Sequence, residues 1–422
     1  MFDIDYNPKT YADIQTPEVI DRRIFAWNLI KKNGLPTRKD EGWRYTDFNK
    51  WLIQSNLLLT PIERSSNWCA ADFKKHISQD KTSLVFVDGF FEPELSDLSV
   101  FANKKITVDE INSTALEVND SKSHCMVKYF NDALFSSGVR VSIPSEVEVD
   151  LELVYLITSN SEQHVRCLKN HFHLDTYADV RISEKYISLI KNPILMNVDN
   201  SINLRDNASL NYCLELNQDQ NNLINIGRFE VNQSKDSKFE YFNLLFGGSL
   251  NRHEMNINLN APGAYARVDG VFISKDSMNV DNNITVVHNA SHTTSDVCFK
   301  GIASGKSSAT FNAKAIVQKG LVAIKALQSN KNLLLDKTAT INTKPELEIY
   351  SDDVVCSHGA TIGQLDKNLI FYFQSRGISY NEAITMLTVA FLIDILERQS
   401  LNGSQKEKFS VQIEDYSSKI IS

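Results

Sequence analysis

The chain has 422 residues, 42% of them apolar, with 44 Lys and Arg against 52 Asp and Glu, a formal net charge of −8. That balance removes the electrostatic case for a nucleic-acid or anionic-membrane partner, and no run approaches the roughly 18 apolar residues of a spanning helix. The length predicts two or three units, or one elongated repeat body. Six cysteines, at 69, 125, 167, 213, 298 and 356, show no C-x-x-C spacing, which argues against a zinc ribbon, a redox motif or a disulfide scaffold. The acidic start, Met1-Phe2-Asp3-Ile4-Asp5-Tyr6, lacks the basic and apolar regions of a signal peptide. The expected compartment is the cytoplasm.

Thr16 as a cap, Pro17 at the first helical position and Ile20, Ile24, Trp27 and Ile30 at helical spacing predict a helix that ends at Gly34. From Gly42 to about Leu116 the pattern is mixed, with a buried strand at Leu84-Val85-Phe86-Val87 before an Asp88-Gly89 turn. From about His124 short alternating strands follow one another: Val149 to Ile157, Phe172 to Leu174, Leu210 to Leu216, Phe239 to Phe246, Met255 to Leu259, Ala309 to Val317 and Leu333 to Leu335. Small or polar corners separate them, such as Asn207-Ala208-Ser209 and Ala261-Pro262-Gly263. Aligning Leu210, Phe239 and Tyr265 gives steps of 29 and 26 residues. That step suits a coiled solenoid of on the order of eight turns, though a twisted sandwich also yields many short strands.

Helices return at Asp366, which caps a segment through Leu369, Ile370 and Phe373 that Gly377 closes. Ser379 and Glu382 form a capping-box pattern ahead of a second helix carrying Ile384, Leu387, Phe391, Leu392 and Ile395. The polar tail from Ser400 reads as loosely ordered. The expected division is a helical and mixed segment over 1–123, a β core over 124–365 and a helical segment over 366–422.

Gly301-Ile302-Ala303-Ser304-Gly305-Lys306-Ser307 places three residues between its glycines where a phosphate loop needs four, and no helix pattern follows the lysine. It reads as a solenoid corner. His288 with His292, and His171 with His173, read as ordinary rung or surface histidines for want of a full ligand set. A different constellation lies further on. In an extended strand Tyr350, Asp352, Val354, Cys356 and His358 would share one face. A thiolate and an imidazole two residues apart can bind one metal ion, yet two ligands cannot close a tetrahedral site. The pair is either half a site finished by another chain or a strand end, and Asp352 and Asp353 either tune it or merely charge an edge.

The stretch from Pro345 to Thr361, followed by Ile362-Gly363-Gln364-Leu365-Asp366 and by Phe371-Tyr372-Phe373-Gln374-Ser375-Arg376-Gly377-Ile378, resembles the C-terminal signature of the SufB/SufD family of the Suf iron–sulfur cluster assembly machinery. Gly34-Leu35-Pro36-Thr37-Arg38-Lys39-Asp40-Glu41-Gly42-Trp43-Arg44-Tyr45-Thr46 resembles the segment typical of SufD members, and Cys-Ser-His-Gly-Ala-Thr at 356–361 is SufD-like rather than SufB-like. The resemblance implies a mainly β fold, a right-handed parallel β-helix flanked by helical segments. It implies a non-catalytic subunit of the SufBCD complex that pairs with a SufB-like paralogue and binds a SufC-like ABC ATPase. Such a subunit contributes to iron acquisition and nascent cluster assembly at the SufB–SufD junction. It implicates Cys356 and His358 in building or holding the cluster, completed by the partner chain, and the segment around Phe371, Arg376 and Phe391 in docking the ATPase.

No cofactor is expected in the isolated chain. Iron or a nascent cluster is expected in the complex, and the resemblance also associates a flavin with it, although no Gly-x-Gly-x-x-Gly fingerprint occurs here. Exposed edge strands predict a homodimer when the chain is produced alone. Two other readings compete. A β-helix carbohydrate-active enzyme would use exposed carboxylates, but no carboxylate pair can be placed at catalytic separation and no signal peptide is visible. A SufB-type cluster scaffold is opposed by the missing C-x-x-C spacing and the SufD-like signature.

Overall fold

A computed structural model describes residues 17–55, 64, 73–78, 81–111, 125–158, 165–216 and 223–420. The expected cap at Thr16 and the cysteine at 69 lie outside them. Nineteen strands among the described residues form two sheets, one of ten strands and one of nine. From Phe135 onward consecutive strands alternate between the sheets, and each pairs in parallel with the strand two places later. Seven such steps run along each sheet, so the chain winds into a parallel β-solenoid of about seven turns, close to the eight expected from length. The sequence periodicity thus resolves to the solenoid and not to a sandwich. The strand Thr82–Val87 extends the ten-stranded sheet in parallel against Glu148–Ile157, before the solenoid proper begins.

The corners explain why so many short polar segments interrupt the apolar pattern. Glu146, Tyr177, Asn207, Asp236, Gly263, His292 and Ala323 all have positive φ, and they stack in one column. The N–H of Asn207 donates to the Lys235 carbonyl at 2.8 Å, that of Asp236 to Pro262 at 3.0 Å and that of Gly263 to His292 at 3.0 Å. Each corner therefore satisfies its neighbour's backbone, and Asn, Asp and Gly tolerate the left-handed conformation best. The step between coils is 29 residues from Leu210 to Phe239 but 27 from Phe239 to Ala266. Tyr265 is half-exposed, and Ala266 takes the inward position that the aromatic residue was expected to hold.

The interior between the sheets is lined by alternating apolar residues such as Val139, Val141, Leu151, Leu153, Ile182, Leu210, Phe239, Val268 and Phe311. Gly301 lies on such a strand, where a Cβ would overlap the Phe272 ring, and Gly305 and Lys306 form the following corner with no helix beyond. The phosphate-loop-like run is thus a packing device. His288 is equally structural: it is fully buried, with its ring nitrogens 2.8 Å from Thr293 Oγ1 and 3.0 Å from Ser295 Oγ.

Helices cover the outer faces of the two sheets. Helix α1 (Pro17–Asn33) ends at Gly34, whose N–H donates to the Ile30 carbonyl at 2.8 Å. With α2 (Phe48–Ser55) and α4 (Met126–Leu134) it packs Trp27, Phe48 and Phe130 onto Cys167, Leu195, Ile226 and Leu250 of the nine-stranded sheet; α3 (Leu98–Asn103) lies beside the strand Thr107–Glu110. At the other end come α5 (Lys367–Ser375), capped by Asp366, and α6 (Tyr380–Ile393), opened by the Ser379–Glu382 capping box as expected. The tail departs from expectation. It forms a 17-residue helix, α7 (Gly403–Lys419), with its own Asn402–Gln405 capping box. Phe409, Ile413 and Tyr416, spaced by four and three, bury one face of α7 near Phe242, Phe246 and Ile273 on the ten-stranded sheet.

Candidate functional site

Among the described residues the solenoid ends without a covering layer. Its last strands are Thr340–Ile349 in the nine-stranded sheet and Val354–Gly363 in the ten-stranded sheet, and each is an edge. In parallel register Cys356 lies beside Ala326 and His358 beside Gln328. Ala326 and Gln328 are buried and point inward, so Cys356 and His358 continue the same inward rows into the last coil. There no described residue closes over them: Cys356 is half-buried and His358 exposed. Burial pushes the Cys356 thiol up, and the Ala326 N–H opposes that shift. A metal binding here must therefore displace the thiol proton.

The strand breaks before this pair. The chain turns through 350–353, so Tyr350 and Asp352 sit on the corner and do not share the Cys356 face. Ser351 Oγ accepts from the Leu321 N–H at 2.9 Å and donates to the Gln318 carbonyl at 2.7 Å, while Asp353 Oδ2 accepts from the Ala323 N–H at 3.0 Å. Asp353 thus holds the corner, and Asp352 stays exposed. Among the described residues no three His, Cys, Asp or Glu side chains converge on a metal-binding position. Cys356 and His358 supply at most two ligands.

Beneath the pair the inward row turns polar, a feature sequence reading missed. Gln328, Asn330 and Asn332 alternate on one strand, all buried. Asn332 Nδ2 donates to Asn330 Oδ1 at 2.6 Å and to the Thr361 carbonyl at 3.2 Å, tying this layer to the final strand. The signal was a period-two run of amides where a core strand calls for apolar residues. Around the open end Ile349, Tyr350, Val355 and Ile362 are exposed.

On the C-terminal helices, Phe371 is 72% exposed and Leu369 and Tyr372 are also exposed. The Arg376 guanidinium, exposed too, lies 5.3 Å from the Tyr372 ring centre. Phe391 is placed differently. It packs among the residues that seat α6 and α7 on the sheet, and Lys300 Nζ donates to its carbonyl at 2.7 Å and sits 4.8 Å from its ring centre. A groove of about 640 Å³ opens between α6 and α7, lined by Ile378, Asn381, Met386 and Ser418 among others. Among the described residues no helix is long and apolar enough to cross a membrane.

The family profile described as SUF system FeS cluster assembly, SufBD core domain, matches residues 156–391, which is most of the solenoid together with α5 and most of α6. The iron–sulfur cluster assembly protein SufD of Escherichia coli is 28% identical over 382 residues, covering 90% of this chain and 88% of its own length. An iron–sulfur cluster assembly SufBD family protein of Synechocystis is 26% identical over 92% of this chain and 89% of its own, and SufD of Bacillus subtilis is 26% identical over 88% and 87%. Since the profile spans more than half of the chain and SufD relatives align along nearly all of it, the chain belongs to the SufB/SufD family of SUF-system iron–sulfur cluster assembly proteins, on its SufD side.

Proposed function

We propose that this chain is a non-catalytic subunit of a SufBCD-type complex, pairing with a SufB-like paralogue at the open end of the solenoid and carrying a SufC-like ATPase on its C-terminal helices. The observation that carries this reading is the placement of Cys356 and His358 on one face of the last, uncovered strand. Half a ligand set on an edge strand suits a site completed by a second chain, since unpaired N–H and C=O groups recruit another strand and open coordination positions recruit another ligand. Iron or a nascent cluster is the cargo of that junction. Without its paralogue the same edge pairs with a second copy, a homodimer that light scattering would detect. The work runs in the cytoplasm, and any flavin would bind at a surface formed with the partners.

Cys356→Ser and His358→Ala are each expected to leave folding and complex formation nearly intact while lowering iron and acid-labile sulfide in the reconstituted complex by several-fold. The histidine change should be the more damaging. A complex carrying both substitutions that accumulates clusters at the parental rate would reduce this strand end to a structural role.

Interface energy concentrates in a few aromatic and Arg anchors, and Phe371 on α5 with Arg376 at its C-terminal cap offers such a pair. Phe371→Ala is expected to weaken ATPase binding about tenfold in calorimetry, whereas Phe391→Ala should act mainly by loosening α6 from the sheet. Equal affinity of the parent and Phe371→Ala would move the docking site elsewhere.

A further inference from the structure

Midway along the solenoid the apolar interior gives way to five polar side chains: Asn225, Asn243, Asn251, His253 and Asn282. None is more than 4% exposed. Strand register sets Asn225 beside Asn251 and His253 beside Asn282 on the nine-stranded sheet. Asn243 reaches across from the ten-stranded sheet and donates to Asn282 Oδ1 at 3.3 Å. The Asn251 amide donates to the Gly247 carbonyl. Among the described residues, seven polar atoms of these side chains have no hydrogen-bond partner: both amide atoms of Asn225, Oδ1 of Asn243 and of Asn251, both ring nitrogens of His253, and Nδ2 of Asn282.

Two glycines make this arrangement possible. A Cβ at Gly227 would stand 2.9 Å from His253 Nδ1, and one at Gly270 would overlap Asn243 Oδ1. Burial drives the His253 pKa down to about 3, so the ring is neutral, with one nitrogen donating and one accepting. On the side toward the open end, Phe299 lies beside Gly270 and Phe311 beside Asn282, their ring centres 5.1 Å apart, and they separate this cluster from the amide layer under Cys356.

We infer that the five side chains form a binding site for a small cluster of ordered water molecules enclosed between the two sheets. One buried polar atom left unpaired consumes a sizeable fraction of a domain's stability, and seven in one cluster would exhaust it. The unpaired set mixes donors, on Asn225, Asn282 and His253, with acceptors on all but Asn282. Water matches such a set because each molecule donates and accepts twice and is held by two to four polar partners. A metal ion fits poorly: the cluster offers one imidazole and no carboxylate or thiolate. An apolar guest would leave every one of these atoms unsatisfied.

The test is a crystal structure of the full chain at a resolution that shows ordered solvent. Density refining as water within hydrogen-bond distance of a His253 ring nitrogen and of the Asn225 amide is the expected result. No solvent density among these five side chains, or an anomalous signal from a metal, overturns the assignment. Thermal unfolding of Asn225→Leu and His253→Leu gives the solution counterpart. If water bridges these groups, each change strands the remaining partners and the midpoint falls by several degrees. If the groups are dry, each change removes an unpaired polar group, and a midpoint that rises overturns the inference.

Discussion

Arg252→Met is expected to be among the most destabilising single changes in the chain, at about 3–5 kcal/mol. The side chain is 1% exposed and lies under the segment that precedes α2. It is ion-paired to Asp281 and to Glu254 Oε1 at 2.6 Å, donates to the Gly42 carbonyl at 2.8 Å, and stacks on the Trp43 ring at 3.5 Å. Thr46 Oγ1 adds a bond to Asp281 at 2.6 Å. Removing the cation leaves the buried Asp281 carboxylate and the partly buried Glu254 carboxylate without the counter-charge they share, and that uncompensated charge is the main cost. Urea unfolding should show a lowered midpoint with the slope retained. Adding Glu254→Gln and Asp281→Asn to Arg252→Met should recover part of the loss. A single-variant cost under about 1 kcal/mol, within the range of a surface ion pair, would mean that this network does not hold the N-terminal segment to the sheet.

The second large effect concerns pH. Glu184 lies within the solenoid, and both of its oxygens accept hydrogen bonds from tyrosine hydroxyls, those of Tyr186 and Tyr212. Burial raises its pKa from 4.5 to about 7, and the two tyrosine bonds only partly oppose that rise. The native state therefore binds this proton more tightly than the unfolded chain does. The stabilisation is fully present below pH 4.5 and is lost as pH rises through 7. Each tenfold gain in proton affinity is worth about 1.4 kcal/mol, so the whole change amounts to about 3 kcal/mol. Glu184→Gln keeps the shape and removes the proton. The difference in unfolding free energy between variant and parent should then grow in the variant's favour by about that amount between pH 4.5 and 7.5. A difference that stays flat across this window would show that the carboxyl titrates normally.

The solenoid was legible because corners such as Asn207-Ala208-Ser209 recur at near-constant steps and the strands between them alternate. One coil was misaligned by a single residue. Tyr265 looks like a core residue, but the parallel register puts Ala266 beside Phe239 in the inward row and leaves Tyr265 on the other face. The helix α7 escaped because its apolar residues are sparse and its composition polar, even though Phe409, Ile413 and Tyr416 carry the helical spacing and Asn402 with Gln405 the capping box. Of the site, the shared face of Cys356 and His358 could be read from strand alternation, whereas the turn at 350–353 carries no Gly or Pro to announce it. The buried amides at 225, 243, 251 and 282 could not be found by alternation, because they occupy positions where that pattern calls for apolar residues.

The pairing between coils also fixes how the body responds to force. Backbone hydrogen bonds between neighbouring coils point along the stacking axis, and most pairings extend over about ten residues in each sheet. A pull along that axis is shared by all the bonds of a rung at once, and a push is met by packed side chains. The solenoid therefore behaves as a stiff strut. Displacement applied to the C-terminal helices is transmitted to the far edge with little lost in stretching, and compliance is concentrated where those helices rest on the ten-stranded sheet, through the Lys300–Asp394 ion pair and the contacts of Leu392 and Ile395.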